Sequence, residues 1–189
     1  MSIFITICAF TVFSFFEIGK RTTIIPPLRF GNLGDIKLGE GVTIHANCWI
    51  QALNGGSEER PKVIIHDHAS IGMNATISAA VKIVIEENVF FGRNVYISDH
   101  GHEFKAVDRP IGRQGIRKVA EVIVGRNSWL GQNCVVLPGV KIGRNCVIGA
   151  NSVVNRDIPD YSVAAGAPAK VIQRFNEENG SWERVFENE

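Results

Sequence analysis

From Val124 onward an aliphatic residue recurs at every sixth position: Val124, Leu130, Val136, Ile142, Ile148 and Val154. Glycine follows directly at 125, 131, 143 and 149, and mostly small residues stand four places after each aliphatic: Ser128, Cys134, Val140, Cys146, Ser152 and Ile158. The same ruler fits Leu38, Ile44 and Ile50, then Ile65, Ile71 and Ile77, then Ile85, Phe91 and Ile97. It places Val42, Cys48, Ala69, Ala75, Val81, Val89 and Val95 at the fourth offset. A period of six matches neither the 3.6 of an α-helix nor the simple alternation of a long strand.

Such a period describes a solenoid in which each hexapeptide is a short strand and a tight turn. Three of them close a triangular coil of 18 residues, with the large aliphatic pointing into the prism and the fourth-offset residue inward beside a corner. Gly and Asn recur between strands (Gly-Arg-Asn at 125–127 and at 143–145) because the turns need backbone angles that other residues resist. The expected fold is all-β, a parallel β-helix. Its cysteines read as small hydrophobes at corners. None of the four lies in a CxxC pair, so neither zinc spacing nor disulfides are expected, and a reducing, cytoplasmic setting follows.

Twenty basic against 19 acidic residues leave a net charge of +1, which argues against nucleic-acid binding. With 45% hydrophobic and 21% charged residues the chain can bury a core. Residues 1–16 are uncharged and apolar, shorter than the ~20 residues of a spanning helix. They are expected to pack on the first coil or on a neighbouring subunit, with a shallow membrane contact at the inner face of the membrane as the alternative.

Three interruptions break the ruler. Residues 52–62 form a polar loop, Ile83–Ile85 marks a two-residue slip, and residues 98–123 leave the period altogether, carrying Asp99, His100, His102 and Glu103. A loop of that length in so regular a scaffold is usually functional. The expected organisation is a lead-in over 1–34, a β-helix over 35–160 with loops at 52–62 and 98–123, and a cap with tail over 161–189, in which 168–179 read as a short helix.

The stretches Val124-Gly-Arg-Asn-Ser-Trp-Leu-Gly-Gln-Asn133, Leu137-Pro-Gly-Val-Lys-Ile-Gly143, Ile148-Gly-Ala-Asn-Ser-Val-Val154 and Ala165-Gly-Ala-Pro-Ala-Lys-Val-Ile172 resemble the hexapeptide-repeat acyltransferases. The branch most similar is that of the galactoside, maltose and polysaccharide O-acetyltransferases. The resemblance covers roughly residues 35–175 and implies a left-handed coil. It also implies a homotrimer with active sites between prisms, and transfer of acetyl from acetyl-CoA to a sugar hydroxyl in surface-polysaccharide or lipopolysaccharide synthesis. Attack of an alcohol on a thioester needs a base, for which His is suited near neutral pH, and donors aimed at the developing oxyanion.

By the same resemblance His100, in Tyr96-Ile-Ser-Asp-His-Gly-His102, is the general base, with His102 as the alternative. Asp99 or Glu103 orients the imidazole, and Asp99 and Asn74 border the acceptor. Trp129 borders the transfer cleft, and the main-chain N–H at Gln132 faces the thioester oxygen. Ala150, Asn155, Arg156 and Lys170 contact CoA, while Ala165-Gly166-Ala167 lets the nucleotide lie close to the backbone. Cations at Arg156 and Lys170 suit a phosphorylated nucleotide. Alternatives remain open: a γ-class carbonic anhydrase using some of His45, His66, His68, His100 and His102, an N-acyltransferase of amino sugars, or a solenoid serving only as an assembly module.

Overall fold

The computed structural model describes residues 15–185 and shows the hexapeptides wound as a left-handed β-helix of three parallel sheets. The first face stacks Glu17–Ile18, Ile36–Leu38, Val63–Ile65, Ile83–Ile85, Val122–Val124 and Lys141–Ile142. The second stacks Thr23–Ile24, Thr43–Ile44, Ser70–Ile71, Phe90–Phe91, Trp129–Leu130 and Val147–Ile148. The third stacks Arg29–Gly31, Trp49–Ala52, Thr76–Ala79, Tyr96–Ser98, Val135–Val136 and Val153–Val154. Parallel register puts each ruler residue on its counterpart one coil away, as with Ile50, Ile77 and Ile97. All fifteen of the aliphatic and aromatic ruler positions lie in the core, none more than 1% exposed.

The fourth-offset residues sit inward at the corners, with Cys48, Cys134 and Cys146 buried and unpaired. Each thiol points at a main-chain carbonyl, of Gly72, Gly149 and Pro159 respectively. Burial raises the pKa of all three, so they are inert hydrophobes rather than nucleophiles. Val81 is the exception, being only half-buried, because the two-residue slip widens its corner. Asparagines take the left-handed conformation at the corners, and their amides bond coil to coil. One ladder runs Asn74–Asn94–Asn133–Asn151, another Asn88–Asn127–Asn145.

Two boundaries differ from the expectation. The prism begins at Glu17, a full coil before residue 35, because Ile18, Ile24 and Phe30 already keep the spacing of six. Phe15 packs edge-on against Phe30. The proposed membrane contact over residues 1–16, and Cys8, fall almost entirely outside the described residues. At the other end the expected helix over 168–179 is absent. Ala169–Asn176 is instead a strand running antiparallel to Ser162–Gly166 and to Ser181–Arg184. Its burial alternates, with Ala169, Val171 and Gln173 facing in and Lys170, Ile172 and Arg174 facing out, and the open edge of the second face supplies the hydrogen bonds. Tyr161, Phe175 and Trp182 pack together beside this hairpin. No helix among the described residues is long and apolar enough to cross a membrane.

Ile77 lies in the middle of the prism, in register with Ile50 above and Ile97 below. Ile77→Ala should therefore destabilise the protein by about 2–5 kcal/mol, read as a shift in denaturation midpoint with an unchanged slope.

Candidate active site

The two-residue slip before Ile83 opens a wide corner at Ala80, Val81 and Lys82, where three main-chain N–H groups converge without a strand to pair with. One carboxylate from the next coil accepts all three: Asp99 Oδ1 takes Ala80 N–H at 2.7 Å, and Oδ2 takes Val81 and Lys82 N–H at 2.7 and 2.8 Å. Asp99 is fully buried. Its Oδ1 also faces His100 Nδ1 at 2.8 Å. A carboxylate ionised among donors can only accept, so Nδ1 carries the proton and Nε2 holds the free lone pair. Ser98 fixes the turn from the other side, its hydroxyl donating to His100 O at 2.8 Å and accepting from His100 N at 3.3 Å. The imidazole keeps 10% exposure.

The ejected segment starts and ends at this corner. Ala120 N–H bonds Asp99 O at 2.9 Å, and Val122 N–H bonds Lys82 O at 3.1 Å. Within it, Gly101–His102 pairs antiparallel with Ile116–Arg117. His102 is exposed on that hairpin, and among the described residues no carboxylate meets its ring. Glu103 does not orient His100. It accepts the N–H groups of Phe104 and Lys105 at 2.8 and 3.1 Å, bonds that, with the nearby Arg117, hold its carboxyl below the ordinary range. Arg117 lies over the Phe104 ring at 4.3 Å. Asp99, assigned to the acceptor by resemblance, is buried with its oxygens occupied, so it positions the imidazole and does not reach an acceptor.

The remaining candidates divide between two edges of the third face. Asn155 and Arg156 lie on the His100 edge, in the last coil, and Lys170 comes from the returning strand. Arg156, Lys170 and Arg174 line one shallow pocket of about 270 Å³. Gln132 and Ala150 lie on the opposite edge, at consecutive corners between the second and third faces, with Trp129 (47% exposed) just outside on the second face beside Phe90. Asn74 shares that edge, its amide nitrogen engaged by Asn94 at 2.9 Å. Within one chain, therefore, neither Asn74 nor Gln132 meets His100. His66 and His68 stand at yet another corner, and among the described residues no three His, Cys, Asp or Glu side chains gather as a metal site would require.

Two family models match: the bacterial transferase hexapeptide (six repeats) over residues 121–156 and the hexapeptide repeat of succinyl-transferase over 82–101. WbbJ of Escherichia coli K12, which bears the name of a lipopolysaccharide biosynthesis O-acetyl transferase, is 33% identical over 166 residues, covering 84% of this chain and 82% of the relative. The galactoside O-acetyltransferase of the same organism is 34% identical over 164 residues, covering 85% and 71%. Among solved structures, a maltose O-acetyltransferase from Clostridium difficile 630 superposes with a TM-score of 0.59 at 30% identity, covering 87% of this chain and 72% of the other. AntD, an N-acyltransferase from Bacillus cereus in complex with dTDP and 3-hydroxybutyryl-CoA, superposes at 0.75 with 19% identity over 90% and 88%, a likeness of fold. The chain belongs to the hexapeptide-repeat acyltransferase family, with sugar O-acetyltransferases among its relatives.

Removing the Asp99 carboxylate would take the acceptor from three N–H groups at once, that of Ala80 buried and those of Val81 and Lys82 half-buried. Asp99→Ala should cost roughly 1–3 kcal/mol at the Ala80 donor and less at each of the other two, measured by chemical denaturation, and His100→Ala far less, since the corner keeps its acceptor.

Proposed function

We propose that this chain transfers an acetyl group from acetyl-CoA to a hydroxyl of a sugar, with His100 as general base. The single observation that carries the reading is the Asp99–His100 pair, which leaves Nε2 unprotonated at an ejected loop. In the reaction Nε2 takes the hydroxyl proton while the sugar oxygen attacks the thioester carbonyl. The carbonyl oxygen becomes anionic, the tetrahedral centre collapses, and the C–S bond breaks. The leaving thiolate recovers the proton from the imidazolium, which returns the base to its starting form. Asp99, already ionised, stabilises the imidazolium during that interval. No covalent enzyme intermediate is needed when both substrates bind together.

The oxygen nucleophile is supported by the galactoside and maltose O-acetyltransferases at 34% and 30% identity, whereas the N-acyltransferase at 19% speaks for fold alone. The WbbJ likeness supports an acceptor in lipopolysaccharide or a related surface glycan. The separation of His100 from Trp129, Gln132 and Ala150 supports a homotrimer. In that assembly the His100 edge of one prism faces the Gln132 edge of its neighbour, and CoA lies between them. Arg156 and Lys170 then meet the nucleotide phosphates.

His100→Ala should lower kcat for acetyl transfer by on the order of 10²–10⁴ while acetyl-CoA still binds, whereas His102→Ala should retain most of the activity. Steady-state kinetics with calorimetric CoA titration checks both. A fully active His100→Ala removes the assignment.

A further inference from the structure

Above His100 the outer side of the third face carries one polar column. Strand register stacks Gly31, Gln51, Ser78 and Ser98 on consecutive coils, on the side of the strands opposite Phe30, Ile50, Ile77 and Ile97; Gly31 and Gln51 are half-buried, and Ser78 and Ser98 are buried. Gln51 reaches over Ser78, its Nε2 donating to the hydroxyl at 2.8 Å, which leaves the amide oxygen as an acceptor. A Cβ at Gly31 would come within 3.1 Å of the Gln51 side chain, so glycine at this position leaves that side chain its room. Two strand spacings, about 9–10 Å, separate Ser98 from Gln51. A ring presenting one hydroxyl to His100 would not fill this length, and a second linked ring would.

The loop over residues 52–62 leaves the third face directly after Gln51, forms a wall beside this column and is tied down by its own contacts. The buried Lys62 ammonium donates to Leu53 O and Gly55 O at 2.8 and 2.7 Å. Arg60 pairs with buried Asp35 at 2.9 Å. Glu59 pairs with Lys82, whose main-chain N–H is one of the three that Asp99 holds. Gly56 lies against Ala80 so closely that a Cβ would meet its carbonyl. Every cation of the wall is therefore engaged, by Asp35, by Glu59 or by two carbonyls. A nucleoside diphosphate demands free Arg or Lys, and this wall offers it none. Hydroxyls and an amide, by contrast, match the hydroxyls of a neutral sugar.

Resting on the reading of His100 as base, we infer that Gln51 is an acceptor-binding residue, its amide held in place by the buried Ser78 hydroxyl. It takes a neutral glycan of at least two linked sugars, and the enzyme acts on an assembled oligosaccharide rather than on a nucleotide-activated monosaccharide. The step that supplies the substrate is then a glycosyl transfer that has already joined the rings.

The full-length enzyme is assayed at saturating acetyl-CoA against a monosaccharide, a neutral oligosaccharide ending in the same sugar, and that sugar as its nucleoside diphosphate conjugate. The oligosaccharide should exceed the conjugate in kcat/KM by about tenfold or more, and Gln51→Ala should raise the oligosaccharide KM by about tenfold, the loss of one or two hydrogen bonds. The KM for acetyl-CoA and its slow acceptor-free hydrolysis should not move, and an unchanged melting temperature shows that the variant folds. A preference for the conjugate, or an unaltered oligosaccharide KM in Gln51→Ala, overturns the inference while His100→Ala still abolishes transfer. If instead wild type acetylates no hydroxyl, or His100→Ala stays active, the function proposed above fails and the inference falls with it.

Discussion

The structure depends on stacking of inward aliphatics from coil to coil. A coil of three short strands cannot bury its own apolar side, so each becomes stable only against the next. Parallel register places branched side chains at 50, 77 and 97 in one column. Corners beside the column admit small or β-branched residues, which accounts for cysteine, serine, alanine and valine where a loosely packed core would carry leucine. The outer surfaces of the strands are freed from any packing duty within the chain, and function is written there and at the corners.

Departures from the repeat are where the chemistry sits. Two extra residues before Ile83 produce three clustered N–H groups that a regular corner would not have. The Asp99 carboxylate that satisfies them is thereby buried, ionised and fixed, and it presents a rigid acceptor to the imidazole of the next residue. The same aspartate closes the corner and selects the tautomer of His100, so local stability and the geometry of the proposed base are one arrangement. The 52–62 loop leans on that corner through Glu59 and Lys82, which ties it to the aspartate that holds His100.

The edges of the prism divide the labour. His100 and Arg156 occupy one edge of the third face; Gln132, Ala150 and the asparagine ladder occupy the other. In the proposed reaction a thioester held by both edges needs two prisms, and rigid solenoids suit that purpose because they do not deform on assembly.

A period of six, with small residues at a constant offset, was enough to determine the coil, its inward columns, its corners and the place where the chain leaves the repeat. These are local properties, since each strand meets only its counterparts one coil away. The same logic reached too short at the start, where Ile18, Ile24 and Phe30 keep the period with weaker partners. It failed at the end, where Ala169–Asn176 becomes a strand because a sheet edge awaits it. Composition alone suggested a helix there. The motif singled out His100 as the proposed base, but the burial of Asp99, its three N–H partners and the Gln51–Ser78 column could not be read from it. Each joins residues 17 or more positions apart, and only the winding of successive coils brings such residues within hydrogen-bond distance.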